Sequence, residues 1–98
     1  MTITRNMNGT DLEISVEGRL DTMTAPELEG ELKKCMGDAE SLTLDFSRLD
    51  YISSAGLRVL LSAHKEMSAK GGMKVTHVNE IVSEVFEVTG FADILTIE

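Results

Sequence analysis

Two strand-like segments with a helical stripe between them constrain this chain more than any other feature of its sequence. Leu42, Leu44 and Phe46 alternate with Thr43 and Asp45, the period-two pattern of a strand with one apolar face, and Met73 to Val78 reads as another strand. Between them Leu57, Leu60, Leu61, His64 and Met67 recur at helical spacing until Gly71-Gly72, about four turns of helix. A helix between two strands makes a crossover connection, so those strands pair in parallel within one sheet.

The rest of the pattern extends this unit at both ends. Ile3 to Met7 and Leu12 to Val16 read as strands joined at Asn8-Gly9, a turn-forming dipeptide, and so as an antiparallel hairpin. Gly18 to Met23 reads as a connection. Thr24 and Glu27 then have capping-box spacing, and Pro26 falls in the first turn of a helix whose stripe is Leu28, Leu32, Cys35 and Met36, ended by Gly37-Asp38. Asn79 can cap a third helix with Ile81, Val82, Val85, Phe86 and Thr89 on its buried face, and Ile94 to Ile97 closes as a short strand. The expected fold is α/β: a single mixed sheet, antiparallel in its N-terminal hairpin and parallel in the β-α units that follow, packed with about three helices in the order β-β-α-β-α-β-α-β. A length of 98 residues suits one domain, 1–98, too small for a deep substrate cavity.

Charge and motif content exclude several classes of function. Nine Lys and Arg against seventeen Asp and Glu give a net charge of −8, and no basic run exceeds Lys33-Lys34, so nucleic acid and anionic membrane are poor partners. With no apolar segment resembling a secretion signal or a membrane span, the protein is expected in the cytoplasm. Cys35, the single cysteine, has no disulfide partner and reads as packing.

Nucleophile chemistry at Ser53 or Ser54 would need a base, yet His64 lies about 15 Å along the same helix from Ser54, and His77 belongs to a strand. No G-x-S-x-G elbow, Walker sequence or G-x-G-x-x-G is present, and an enzyme is not expected. Asp21, Asp45 and Asp50 are too scattered to read as an intrinsic metal site, and no cofactor is expected; a magnesium ion shared with a bound phosphate donor would need only one or two of them. The structural alternative has Asp21 and Asp45 accepting backbone N–H groups in their loops. Glu27, Glu29 and Glu31, like Glu80, Glu84 and Glu87, read as solvated helix faces, with an acidic docking face as the sharper alternative.

Two loops at the strand ends remain, Gly18 to Thr24 and Ser47 to Gly56, at the edge where ligands of such sheets gather. Ser53 and Ser54 stand directly before a helix, with no Glu or Gln three residues on to complete a capping box. Either serine can serve as an N-cap. Alternatively, an exposed serine here can be phosphorylated, since a helix N-terminus tolerates the added charge of about −1.5 to −2.

The string LTLDFSRLDYISSAGLRVLL, residues 42 to 61, resembles the signature of the STAS family, the anti-sigma-factor antagonists of bacterial partner-switching systems. EGRLDTMTAPELE, residues 17 to 29, resembles that family's second motif, and GGMKVTHVNEIVSEVFEVTGFADILTIE its closing segment, so the resemblance spans the chain. It implies a binding protein whose unphosphorylated form captures an anti-sigma factor and frees a sigma factor. The anti-sigma partner doubles as a serine kinase whose phosphorylation ends binding, and a PP2C-type phosphatase resets the switch. Asp21 matches the family's loop aspartate, Gly56 its helix-start glycine, and Ser54 an acceptor position just before that glycine.

Family members commonly read Asp-Ser-Ser-Gly or Asp-Ser-Thr-Gly, whereas this chain reads Ser53-Ser54-Ala55-Gly56, a variant itself found among STAS proteins. Ser54 is therefore the expected acceptor and Ser53 the fallback. The resemblance implies a partner surface comprising Asp21, Thr22, Ser53, Ser54, Gly56 and Arg58, with Arg58 equally readable as a solvated helix residue, on a monomer or weak dimer. The alternative function is a STAS module that binds partners or a nucleotide constitutively within a signalling assembly.

Overall fold

A computed structural model describes residues 1–98. Its organising element is β2 (Asp11–Leu20), ten residues in which Leu12, Ile14, Val16 and Leu20 are buried while Asp11, Glu13 and Glu17 are exposed. β1 (Thr2–Asn8) pairs with it antiparallel, from Thr2↔Glu17 to Asn8↔Asp11, and is an edge strand with only Ile3 half-buried. Because Asn8 already pairs with Asp11, the hairpin turn is centred on Gly9-Thr10, one residue later than Asn8-Gly9.

β3 (Ser41–Asp45) lies parallel to the first half of β2, and β5 (Met73–Thr76) and the two-residue β6 (Thr96–Ile97) extend the sheet in the order β1-β2-β3-β5-β6. The expected mixed sheet with three helices is what forms. Leu42, Leu44, Met73 and Val75 join the β2 side chains on its apolar face, and the registers Glu13↔Thr43↔Lys74 and Ser15↔Asp45↔Thr76 make polar rows on the other.

The largest departure from the sequence reading is a sixth strand. β4 (Leu49–Ile52) pairs in parallel with residues 18–20 of β2, so β2 runs on through the segment read as a connection. The register shifts between Gly18 and Arg19, where Gly18 has φ +106, a backbone state that a side chain would strain.

α1 (Ala25–Cys35) buries Ala25, Leu28, Leu32 and Cys35. It does not end on a left-handed Gly37 but tightens into a 3₁₀ turn over Met36–Asp38, where the Lys70 ammonium donates to the carbonyls of Met36, Gly37 and Ala39 at 2.8, 3.3 and 3.0 Å. Cys35 is buried as expected, and its sulfur also accepts from Arg5 Nη1 at 3.1 Å.

α2 (Ser54–Ser68) buries Gly56, Leu57, Val59, Leu60, Ala63 and Met67, leaving Leu61 and His64 at the boundary of the core. α3 (Glu80–Thr89) is capped by Asn79 as read, the side-chain oxygen accepting from the Val82 amide at 2.8 Å. It buries only Val82 and Phe86; Ile81 and Thr89 are exposed and Val85 is half-buried. No helix is long and apolar enough to cross a membrane.

Candidate functional site

β2 and β4 end side by side, with Arg19↔Tyr51 and Leu20↔Ile52 in register, so Asp21 and Ser53 leave the sheet from neighbouring strand ends. The Ser53 amide donates to the Leu20 carbonyl at 2.9 Å and ties the second exit to the first. Beside them the Arg19 guanidinium lies 4.4 Å from the centroid of the Tyr51 ring, and its Nε is 3.9 Å from Asp21 Oδ2.

The first loop is organised by its aspartate. Asp21 Oδ1 accepts from the amides of Met23 at 3.0 Å and Thr24 at 3.2 Å. Thr24 sits at the N-cap of α1 yet makes no capping-box bond: its hydroxyl accepts from the Asp21 amide at 2.9 Å and donates to the Arg19 carbonyl at 2.8 Å. The expected box is thus replaced by a knot between Asp21, Thr24 and Arg19. Partial burial works against the Asp21 charge, but the Thr24 and Met23 amides, the Thr24 hydroxyl and Arg19 outweigh it and hold the carboxyl below its ordinary range. With the loop fixed this way, Thr22 and Met23 face solvent, Met23 at 87% exposure.

The second loop carries the serines. Ser53 is the N-cap of α2, with extended backbone and its carbonyl accepting from the Leu57 amide at 3.0 Å. Its hydroxyl oxygen is buried without a hydrogen-bond partner, so no side chain caps this helix. Ser54, the first residue of α2, is exposed. Ala55 is half-buried and Gly56 fully buried. A Cβ on Gly56 would lie 2.7 Å from Leu20 Cγ and 2.9 Å from Ile52 Cγ1, so the missing side chain is what lets α2 sit down on the two strand ends. One turn beyond Ser54, Arg58 is exposed and has no ion-pair partner.

The edge therefore offers an exposed hydroxyl at an uncapped helix N-terminus, flanked by Thr22 and Met23 from one loop and a free guanidinium from its own helix. Neither histidine serves it. His64 lies ten residues further along α2, and His77 sits at the end of β5 with Nδ1 3.3 Å from Asp45 Oδ1 and a left-handed backbone, φ +59. Asp45 accepts from the Ser47 amide at 2.9 Å, as the loop reading anticipated; that bond, set against partial burial and helped by His77 and Ser15, holds its carboxyl below the ordinary range. Asp21, Asp45 and Asp50 do not come together as a ligand set. Met23, Arg19 and Tyr51 fall within the two loops read as the binding edge, but sequence reasoning gave none of them a role of its own. An apolar residue outside every stripe was the available signal for Met23; the stack has none without β4.

A family model described as "Mlab, STAS domain" matches residues 3–96. BtrV of Bordetella bronchiseptica, named as a candidate anti-sigma factor antagonist, is 38% identical over 84 residues, 84% of this chain and 72% of that protein. The crystal structure of an anti-sigma factor antagonist from Mycobacterium paratuberculosis superposes with a TM-score of 0.89 at 23% identity, covering 98% of this chain and 83% of that one. The Bacillus cell fate determinant SpoIIAA, in its phosphorylated form, superposes at 0.76 with 18% identity over 99% of this chain and 91% of its own.

Two outcomes test the geometry. Gly56→Ala is expected to destabilise by up to about 2 kcal/mol: overpacking costs about 1–3 kcal/mol, of which the helix propensity of alanine returns about 1. Gly30→Ala on α1, where a Cβ meets nothing within 4 Å, is expected to raise the thermal midpoint. Equal midpoints for the two variants would refute the close seat. In an NMR titration, the amide protons of Met23 and Thr24 are expected to follow a midpoint below the ~3.9 of a free aspartate. The sign follows from the lowered pKa: the contribution of Asp21 to stability is fully present at neutral pH and is lost as pH falls through the depressed value.

Proposed function

The chain belongs to the STAS-domain family, and we propose that it is an anti-sigma-factor antagonist that captures its partner while Ser54 is unphosphorylated and releases it when Ser54 carries a phosphate. The observation that carries this reading is the exposed, uncapped Ser54 at the start of α2, next to the Asp21 loop. The names of the BtrV and Mycobacterium relatives, and the phosphorylated form of SpoIIAA, support it.

Ser54 is favoured over Ser53 because the Ser53 hydroxyl is buried, and Ala55 has no hydroxyl to offer. A phosphate on Ser54 adds about −1.5 to −2 charges where the helix dipole is positive, so α2 survives the modification. A partner covering the site meets those charges inside a closing interface, next to Asp21, and must pair or desolvate them. Thr22, Met23 and Arg58 then supply contact at the rim, and Gly56 and Ser53 shape the surface from beneath.

In this scheme the protein works by binding rather than catalysis, in the cytoplasm. The captured anti-sigma factor is itself the serine kinase, and a PP2C-type phosphatase restores the antagonist. Ser53 and Ala55, which replace the family's usual aspartate and second hydroxyl, favour as second reading a constitutive interaction or nucleotide-binding module.

Incubation with the cognate kinase and ATP, followed by intact mass and peptide mapping, is expected to place one phosphate on Ser54. Equal labelling of Ser54→Ala would overturn the assignment, and absence of labelling would favour the constitutive module. Ser54→Asp is expected to weaken capture at least tenfold, about 1.4 kcal/mol, while lowering the thermal midpoint by less than about 8 °C.

The docking edge makes a separate prediction. Asp21→Ala and Arg58→Glu should each weaken anti-sigma binding more than the pair Glu84→Lys, Glu87→Lys, with folding checked by circular dichroism. The reverse ranking would move the anti-sigma surface to α3.

A further inference from the structure

α3 presents a face that nothing in the fold covers. Its buried side is Val82 and Phe86, while Ile81 and Val88 are 59% and 80% exposed and Val85, between them on the same stripe, is half-buried. At 3.6 residues per turn these three fall at i, i+4 and i+7, the spacing of a helix–helix contact. Alongside runs a second stripe, Glu80, Glu84 and Glu87, all exposed.

Three carboxylates gather on this face with no basic side chain against them. On other elements several acids are balanced locally, Glu29 by Lys33 at 3.5 Å, Glu31 by Arg5 at 3.3 Å and Lys34 at 3.7 Å, and Glu17 by Arg48 at 3.8 Å. α3 contains no basic residue, and its three glutamates enter no ion pair. Like charges three and four residues apart on one helix are unfavourable, and Glu87 in the last turn also opposes the negative end of the helix dipole. Only Glu80, in the first turn, is favoured by the dipole; Glu84 and Glu87 add nothing to folding. The platform is nevertheless held firmly: Asn79 accepts from the Val82 amide and donates to the Leu49 carbonyl of β4 at 2.7 Å.

We propose that Ile81, Val85 and Val88, with Glu80, Glu84 and Glu87 beside them, form a second docking surface, separate from the Ser54 edge, for a basic amphipathic helix of a partner protein. The apolar stripe supplies the area to bury, and the carboxylate stripe selects a cationic neighbour and speeds its encounter. A second copy of this chain is a poor occupant, since it would bring the same three carboxylates to the same face, and an anionic lipid surface is repelled for the same reason. The proposal does not depend on phosphorylation at Ser54.

The test uses the intact ¹⁵N-labelled protein and a synthetic helix of about 18 residues with leucine on one face and lysine on the other, against a counterpart with glutamate for lysine. Amide shifts are expected at residues 78–89, and binding should weaken at least tenfold in Ile81→Ser/Val88→Ser, in Glu84→Lys/Glu87→Lys, and between about 50 and 300 mM salt. Ser54→Asp should bind the lysine helix as the parent does. Undiminished binding by the double serine variant, equal binding of the glutamate helix, or shifts spread equally over the glutamates of α1 would overturn the proposal. So would concentration-dependent dimerisation through α3, or attachment of α3 to zwitterionic vesicles.

Discussion

Leu20 is where the parts of this fold that matter for recognition are pinned together. It is the last residue of β2, wholly buried, and in register with Ile52 at the end of β4. Its carbonyl takes the Ser53 amide, and its side chain occupies the space that a Cβ on Gly56 would need. One leucine thereby fixes the height of α2 over the sheet, the distance between the two exit loops and the direction in which Ser54 faces. The Asp21 knot starts one residue later, so both halves of the candidate surface are built from the same fixed point.

The fold was largely legible because its core is periodic. Leu42 and Leu44 read as a strand and form one, with Phe46 buried just past its end, and the α2 stripe reads as the helix behind it. β4 was not legible: four residues with two buried positions, Leu49 and Ile52, look the same as an apolar loop until β2 is known to extend far enough to receive them. That extension depends on a positive φ at Gly18, which composition does not announce. The capping box at Thr24 failed for a different reason: Asp21, three residues upstream, takes the Thr24 amide that Glu27 would need, and the threonine hydroxyl is drawn back onto the strand. On α3, five apolar residues in ten cover more of the helix surface than the sheet can bury, and spacing alone did not reveal that Ile81 would be left outside. Ser54, Gly56 and Asp21 could be singled out from local motifs; Met23, and Arg19 over Tyr51, depend on loop and strand placement that only the folded chain supplies.

The arrangement separates what holds the fold from what can change on its surface. Buried contacts at Leu20, Ile52 and Gly56 lie beneath the site, while Ser54, Thr22, Met23 and Arg58 lie above it in solvent. A charge added at that level acts on whatever approaches, and the helix N-terminus beneath it is already disposed to accept it. The Lys70 clamp on the 3₁₀ turn keeps the far end of α1 in place by main-chain acceptors alone, well away from this chemistry.

The length of β2 also sets an order of assembly. Its hairpin with β1 closes locally, within microseconds, but β3 and β4 arrive only once residues 41–52 have been made. At about 5–20 residues per second of synthesis, β2 waits roughly 2–6 s with part of its main chain unpaired. A waiting strand of alternating valine, isoleucine and leucine is an invitation to pair with another nascent chain. The interleaved Asp11, Glu13 and Glu17 answer that hazard by putting like charges opposite one another when two copies pair in parallel and in register, so these outward acids guard the chain during its own birth as well as keeping the finished sheet in solution.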